Sequence, residues 1–469
     1  METKSIMLRK LLLFSFFLSI FTLTAQTNLS GFLPSNSNSG IRFGWQTALH
    51  DDTYVVSSQT FSSTLGKVFV FSKVNQVLTQ QSVLYADDAV STDQFGRSIA
   101  IFGDYIAVGS PFHDSEFTDS GAVYVYKKID NVWTFIQKIT AFDTSADKNF
   151  GSCVKIQGTS LFVSAPNDQN SNSSGSVYVY SYNGTNWSFQ QKLTVPLTTE
   201  LGLKFEVQGN LLVAIDALDA HHTFTYNNSW ILSDSTLYIG NLEYDLRDFV
   251  LDGERLYITA VSPMNPTDNA VLILNRVNNT WVFEPGVDGN FNDFYIGKIA
   301  VSGTHMLVGY QNYIFQVERK FPIRYYKKIS NSWVLQTTFY GEGAAGFDDY
   351  FGNSIAMQDA EILIGAPEEG IALSTGKAYA FNLNLLSVSS FEKNNIVVYP
   401  NPTVNNILFE NQTLLEVAQY ELFSSSGKLI TLSSKDSSFI SLENLHSGIY
   451  ILRTTFENGS FENHKIIKY

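Results

Sequence analysis

Residues able to do chemistry are few in this chain, and they stand apart. The stretch PFHDSEFTDSG brings Asp114, Glu116 and Asp119 within one loop. Three carboxylates so spaced could offer oxygens to a hard divalent cation such as calcium. His221 and His222 are adjacent, in what reads as a polar loop, and neither an HExxH pattern nor a third ligand accompanies them. In a strand they would point to opposite faces, which makes a poor chelate. The pairs Asp348-Asp349 and Glu368-Glu369 could serve glycoside hydrolysis, which needs an acid and a second carboxylate across the scissile bond. Cys153, the only cysteine, has no base near it in KNFGSCVKIQG and is expected to be a buried structural residue; alone, it rules out an internal disulfide. No G-x-S-x-G, P-loop or dinucleotide-binding glycine pattern is present.

The elements that must position these groups repeat. Phe-Gly occurs at Phe43-Gly44, Phe95-Gly96, Phe150-Gly151 and Phe351-Gly352, with degenerate copies at Leu201-Gly202, Phe249-Val250 and Ile296-Gly297. The step is roughly fifty residues, which gives seven repeats. A Gly-x-aromatic strand keeps the same time in GKVFVF, GAVYVY, GSVYVY and GKAYAF, and Trp133, Trp187, Trp230, Trp281 and Trp333 each open a further strand. About four short alternating strands per repeat, joined by Asn- and Gly-rich turns, make hairpins. A four-stranded sheet cannot bury both faces alone, so a ring of stacked sheets is the natural solution, and an all-β, seven-bladed β-propeller is the expected fold. The small residues in VGSP, VSAP and IGAP fit tight turns near the axis, and the recurring Phe and Trp fit packing between blades. Asp93, Asp147 and Asp349, each just ahead of a Phe, read as caps on backbone N–H groups. The seventh repeat lacks its own Trp strand, and NLSGFL, residues 28–33, is the candidate to complete it.

Composition agrees with strands. The 469 residues include 24 Tyr and 36 Phe, while only 16% are charged. A formal charge of −14 and a pI near 4.9 argue against nucleic acid as a partner, since such surfaces need clustered cations. Residues 1–25 place Lys4, Arg9 and Lys10 before an apolar run that ends at Ala25, the pattern of a cleaved secretory signal peptide.

The Phe-Gly and Gly-Ser-Pro-like elements resemble the FG-GAP repeats of integrin alpha-subunit propellers and related bacterial surface proteins. That resemblance covers roughly residues 40–383, implies a propeller domain over residues 26–385, and is strongest in repeats two, three and seven. None of the loops PFHDSEFTDSG, PNDQNSNSSG and PEEGIALSTG keeps the Asp-x-Asp-x-Asp-Gly spacing that many such repeats use for calcium.

After residue 385 the chain changes character. VVYPNPT, SSSGKLI, LHSGIYILR and the terminal Lys465-Ile466-Ile467-Lys468 appear in order within alternating strands, which suits a small C-terminal β-sandwich. Residues 386–469 resemble the type A sorting domain of the Bacteroidetes type IX secretion system. The resemblance implies the type IX machinery as a partner, removal of the domain, and release or peripheral attachment at the outer-membrane surface. Together these features point to a secreted or surface-displayed, non-enzymatic binding or adhesion protein with a protein or glycan ligand. The alternative is a secreted carbohydrate-active hydrolase on the same scaffold.

Overall fold

Short segments that alternate apolar and polar residues must pair edge to edge, because an isolated strand leaves its backbone donors unmet. In the computed structural model they do so almost throughout. The structure describes residues 26–28, 31–35, 40–59, 65–74, 77–170, 173–236, 245–261, 269–288, 295–311, 322–342, 350–368, 375–386, 396–411, 416–424, 428–434, 439–457 and 461–469. The expected signal peptide lies outside the described residues, as do Asp348, Asp349 and Glu369. Described residues up to Leu383 form one compact unit and those from Asn384 form another.

Within the first unit, seven sheets follow one another among the described residues, each built on an antiparallel meander in chain order, with the N-terminal strand added to the sixth. The second shows the pattern: Ser98–Phe102, Tyr105–Ser110, Ala122–Ile129 and Val132–Ile139. The fold is all-β and propeller-like. The apolar cores lie between consecutive sheets. Val55, Val68 and Val70 of the first sheet pack with Ile106, Val108 and Tyr124 of the second, and later pairs repeat the arrangement. Phe43, Tyr54 and Phe71 of the first sheet pack with Leu363 and Ala378 of the seventh. Tyr54 Oη and Lys73 Nζ also donate to Glu361 of the seventh sheet, both at 2.7 Å. The ring is therefore closed by apolar and polar contacts alike.

The repeated residues explain the stacking. Phe43, Phe95, Phe150 and Phe351 are fully buried, as are Leu201 and Ile296; each such side chain contributes roughly 2–3 kcal/mol. Each of four tryptophans reaches back one repeat. Trp187 meets Tyr105 edge-on at 5.6 Å, Trp230 meets Phe162 at 5.4 Å, and Trp333 meets Tyr257 at 5.9 Å. Trp281 Nε1 donates to Thr223 Oγ1 at 2.9 Å. Glutamines fix two of these: Gln137 accepts from the Trp187 N–H at 2.7 Å and donates to its carbonyl at 2.9 Å, and Gln191 does the same for Trp230.

Gly109 in VGSP answers to a close approach rather than to a turn. A Cβ there would sit 2.0 Å from the Gly151 carbonyl oxygen of the next repeat. In the fifth repeat the register moves the Phe-Gly equivalent. Phe249 pairs with Ile258 as Ile299 pairs with Val308, while Leu246 and Ile296 pair with Ala260 and Tyr310. Leu246, not Phe249, thus stands where Ile296 stands one repeat later.

The N-terminal segment divides between two sheets. Gln26–Asn28 runs parallel to Ser332–Tyr340 of the sixth sheet. Phe32 exchanges two backbone hydrogen bonds with Ala378, on the open edge of the three-stranded seventh sheet. Among its described residues, NLSGFL therefore supplies a single bridge to that edge.

The second unit holds two sheets among its described residues, one of three strands and one of four. The PNPT segment follows the strand Ile396–Tyr399 and clasps the chain's last strand. Asn401 donates to the Lys465 carbonyl at 2.5 Å and accepts from the Ile467 N–H at 2.9 Å, while Thr403 pairs with Lys468 through backbone bonds. The two sequence elements at either end of this unit are thus one structural feature.

Candidate functional site

The first strand of each of the seven sheets lines a central cavity of about 590 Å³, a size suited to a small molecule. An inner strand follows its Phe-Gly pair directly, so the residue after the glycine stands at the start of that strand. Arg97 follows Gly96 and Lys298 follows Gly297 in this way, and both line the cavity. Further along the wall stand Lys155, Lys204, Glu206 and Asp248.

These charges form a chain across four successive repeats. Lys155 Nζ lies 2.8 Å from Glu206, and Lys204 lies 3.7 Å from Glu206 and pairs closely with Asp248. Lys298 is 3.8 Å from the same Asp248 oxygen that Lys204 holds. Burial alone would raise the Asp248 pKa, but Lys204, Lys298 and the Ile299 N–H outweigh it and hold the carboxyl below the usual range. Burial likewise opposes the charge on Lys155, and Glu206 overrides it, so its pKa rises. Arg97 differs. Its guanidinium lies over the Trp45 ring at 5.5 Å, burial lowers its pKa, and among the described residues it has no carboxylate partner.

The residues singled out from sequence lie elsewhere. Asp114 Oδ1 accepts from the Asp119 N–H at 2.8 Å, and Asp119 turns the loop with a φ of 50°. Asp114 and Glu116 are exposed. The Asp119 pKa is raised by burial, then by Asp114, Asp147 and Asp93. Asp114, Glu116 and Asp119 do not converge, and among the described residues no three His, Cys, Asp or Glu side chains are grouped to hold a metal. The Asp114 carboxylate closes its own loop through that bond.

His221 and His222 lie in the strand His221–Tyr226 rather than in a loop, and both are buried. His222 Nε2 is 3.2 Å from Asp216 Oδ2, and Nδ1 is 3.1 Å from Ser235 Oγ. His221 packs edge-on against Phe249 at 5.8 Å; burial and the neighbouring His222 push its pKa down to about 4. Glu368 pairs with Arg42 at 2.9 Å. Cys153 is half-buried on the cavity wall rather than fully buried, and burial raises its thiol pKa, which makes it a poor nucleophile. Asp93 caps as expected, accepting from the Val90 N–H at 3.1 Å, and also faces His113 Nδ1 at 2.6 Å.

Sequence reading missed the cavity charges because they fall in different repeats, where only the ring brings them together. It also missed a polar cluster between sheets. In repeat two, Asp88 accepts from Tyr124 and Lys138, both at 2.7 Å. In repeat three, Asp143 accepts from Tyr178 at 2.8 Å and Lys192 at 2.7 Å. Beside this shared trio stands a pair of reversed polarity. It is Asp93 with His113 in repeat two, and Lys148 with Asp168, 2.9 Å apart, in repeat three. The signal was present in the aligned loops DQFG and DKNFG, SPFH and APND.

Comparison with known proteins agrees with the repeat and the tail. Residues 78–126 and 133–180 match the FG-GAP repeat, and residues 397–469 match the secretion system C-terminal sorting domain. No curated protein matches. Among solved structures, Saccharomyces cerevisiae Sqt1 is similar at 10% identity and a TM-score of 0.44, over 95% of this chain and 99% of that one. A candidate 6-phosphogluconolactonase from Bacteroides fragilis is similar at 10% identity and a TM-score of 0.45, over 71% and 96%. The chain thus carries FG-GAP repeats at residues 78–126 and 133–180 within a propeller-like all-β fold, and its residues 397–469 form a type IX secretion sorting domain.

Proposed function

We propose that this chain is an exported, non-enzymatic binding or adhesion protein. A seven-bladed propeller presents the ligand site, and a cleavable C-terminal domain delivers it to the cell surface or the medium. The sorting domain supports export through the type IX machinery. One observation carries the binding reading: both carboxylates that the described residues place on the cavity wall, Glu206 and Asp248, are ion-paired with lysines. A glycosidase needs one carboxyl held protonated near neutral pH, and Asp248 is displaced the other way.

The test applies purified exported protein to a glycan and protein array and analyses the supernatant for products. Saturable capture without turnover is expected. Product release that Glu206→Gln or Asp248→Asn abolishes would establish a hydrolase instead. For delivery, residues 386–469 fused to a fluorescent protein should leave a host that has this secretion system, and periplasmic retention counts against the proposal.

A further inference from the structure

The cavity wall is cationic in a chain of net charge −14. Among the described residues four cations, Arg97, Lys155, Lys204 and Lys298, face two carboxylates, Glu206 and Asp248, which leaves a formal surplus of two positive charges. The surplus can be located. Glu206 is held by Lys155 and Asp248 by Lys204, so Lys298, at 3.8 Å from an oxygen already engaged, and Arg97 are the cations left over.

Arg97 is the more telling of the two. A guanidinium stacked on an indole keeps its N–H donors in its own plane, open to a planar acceptor. Such an edge matches the two oxygens of a carboxylate, and Arg97, exposed at the cavity wall, can present it to an entering anion. A cavity of about 590 Å³ has room for a molecule of sugar-acid size.

We propose that the central cavity binds a small hydroxylated carboxylate, with Arg97 gripping the carboxylate and Lys298 adding charge from across the ring. This deepens the binding function proposed above and rests on it. The anion enters as a whole and no bond is made or broken. Because the chain is acidic overall, attraction is confined to the cavity and weakens as salt shortens its reach, about 10 Å at 0.1 M.

The experiment is calorimetric titration of the full exported chain with D-glucuronate, D-glucose and inorganic phosphate, in low and in high salt. The expected result is saturable glucuronate binding at least tenfold tighter than glucose or phosphate and weaker in high salt. Arg97→Gln should lower affinity for glucuronate about tenfold or more, the worth of one charged contact. Lys298→Met, at a half-exposed position, gives a second reading should Arg97→Gln fail to fold, and should lower affinity several-fold. Equal binding of glucuronate and glucose, preference for phosphate, or wild-type affinity in a folded Arg97→Gln or Lys298→Met variant overturns the assignment. If anion binding fails while array ligands are still captured, only this inference falls. Turnover of a captured ligand would instead remove the non-enzymatic reading and leave the anion site standing.

Discussion

Lys148→Met tests whether the polar cluster in repeat three is a single unit. Lys148 is buried, with Nζ 2.9 Å from both Asp143 and Asp168 and 3.2 Å from Tyr178 Oη. Removing one partner of a buried ion pair costs about 3–5 kcal/mol, because the remaining charge keeps its desolvation penalty. Here Lys192 still reaches both carboxylates, at 2.7 and 2.6 Å. The loss should therefore fall to about 2–3 kcal/mol, read as a lower urea midpoint at unchanged slope. Repeat two suggests the rescue, since Asp93 and His113 occupy the matching places with the polarity reversed. There Lys138 donates to His113 Nε2 at 2.6 Å, which leaves Nδ1–H for Asp93. The double variant Lys148→Asp, Asp168→His should regain at least half of the loss. A single variant that costs under about 0.5 kcal/mol, or a double variant no better than the single, would refute the equivalence of the two clusters.

Four other outcomes are expected. Burial opposes ionisation of Asp143, but Lys192, Lys148 and Tyr178 outweigh it and bring its pKa down to about 2. A depressed carboxyl stabilises the fold above its unfolded pKa, so unfolding followed against pH should show stability falling from about pH 4 towards pH 2, and Asp143→Asn should flatten that limb. Gly109→Ala should cost at least about 2 kcal/mol by thermal or urea melting, because its new methyl meets the Gly151 carbonyl; Gly103→Ala, with open space but a φ of 54°, should cost about 1 kcal/mol. Gln137→Ala removes both hydrogen bonds to the Trp187 backbone and should cost about 1–2 kcal/mol in the same melt. Asn401→Ala frees the terminal strand at Lys465 and Ile467, and limited proteolysis should cut the C-terminal unit sooner.

The fold was legible because its cause is local and periodic. Phe at the head of the inner strand, an aromatic third strand and a Trp at the head of the fourth recur in the chain, and each fills the same place between sheets. Where the repeat decays, reading failed: in the fifth repeat the Phe-Gly place falls on Leu246, near the head of the strand Asp245–Asp252, and Phe249 lies further along it. The His pair was misplaced for a related reason. HHTFTY looks polar, yet His222 meets Asp216 and His221 is covered by Phe249, contacts that no local pattern announces.

The site was not legible, and the ring explains why. Lys155, Glu206, Lys204, Asp248 and Lys298 come from four repeats and meet only because each inner strand faces the axis. Every repeat must keep its packing residues to hold its neighbours, but a residue facing the cavity touches no obligatory partner. Arg97 and Lys298 both follow a glycine, where repeat three has Ser152 and repeat seven has Asn353. Such positions can change one repeat at a time without loss of the fold, so an unequal distribution of charge among them is where a repeat protein acquires a particular ligand. The surplus of cations at this wall, against the acidity of the whole chain, is that kind of inequality.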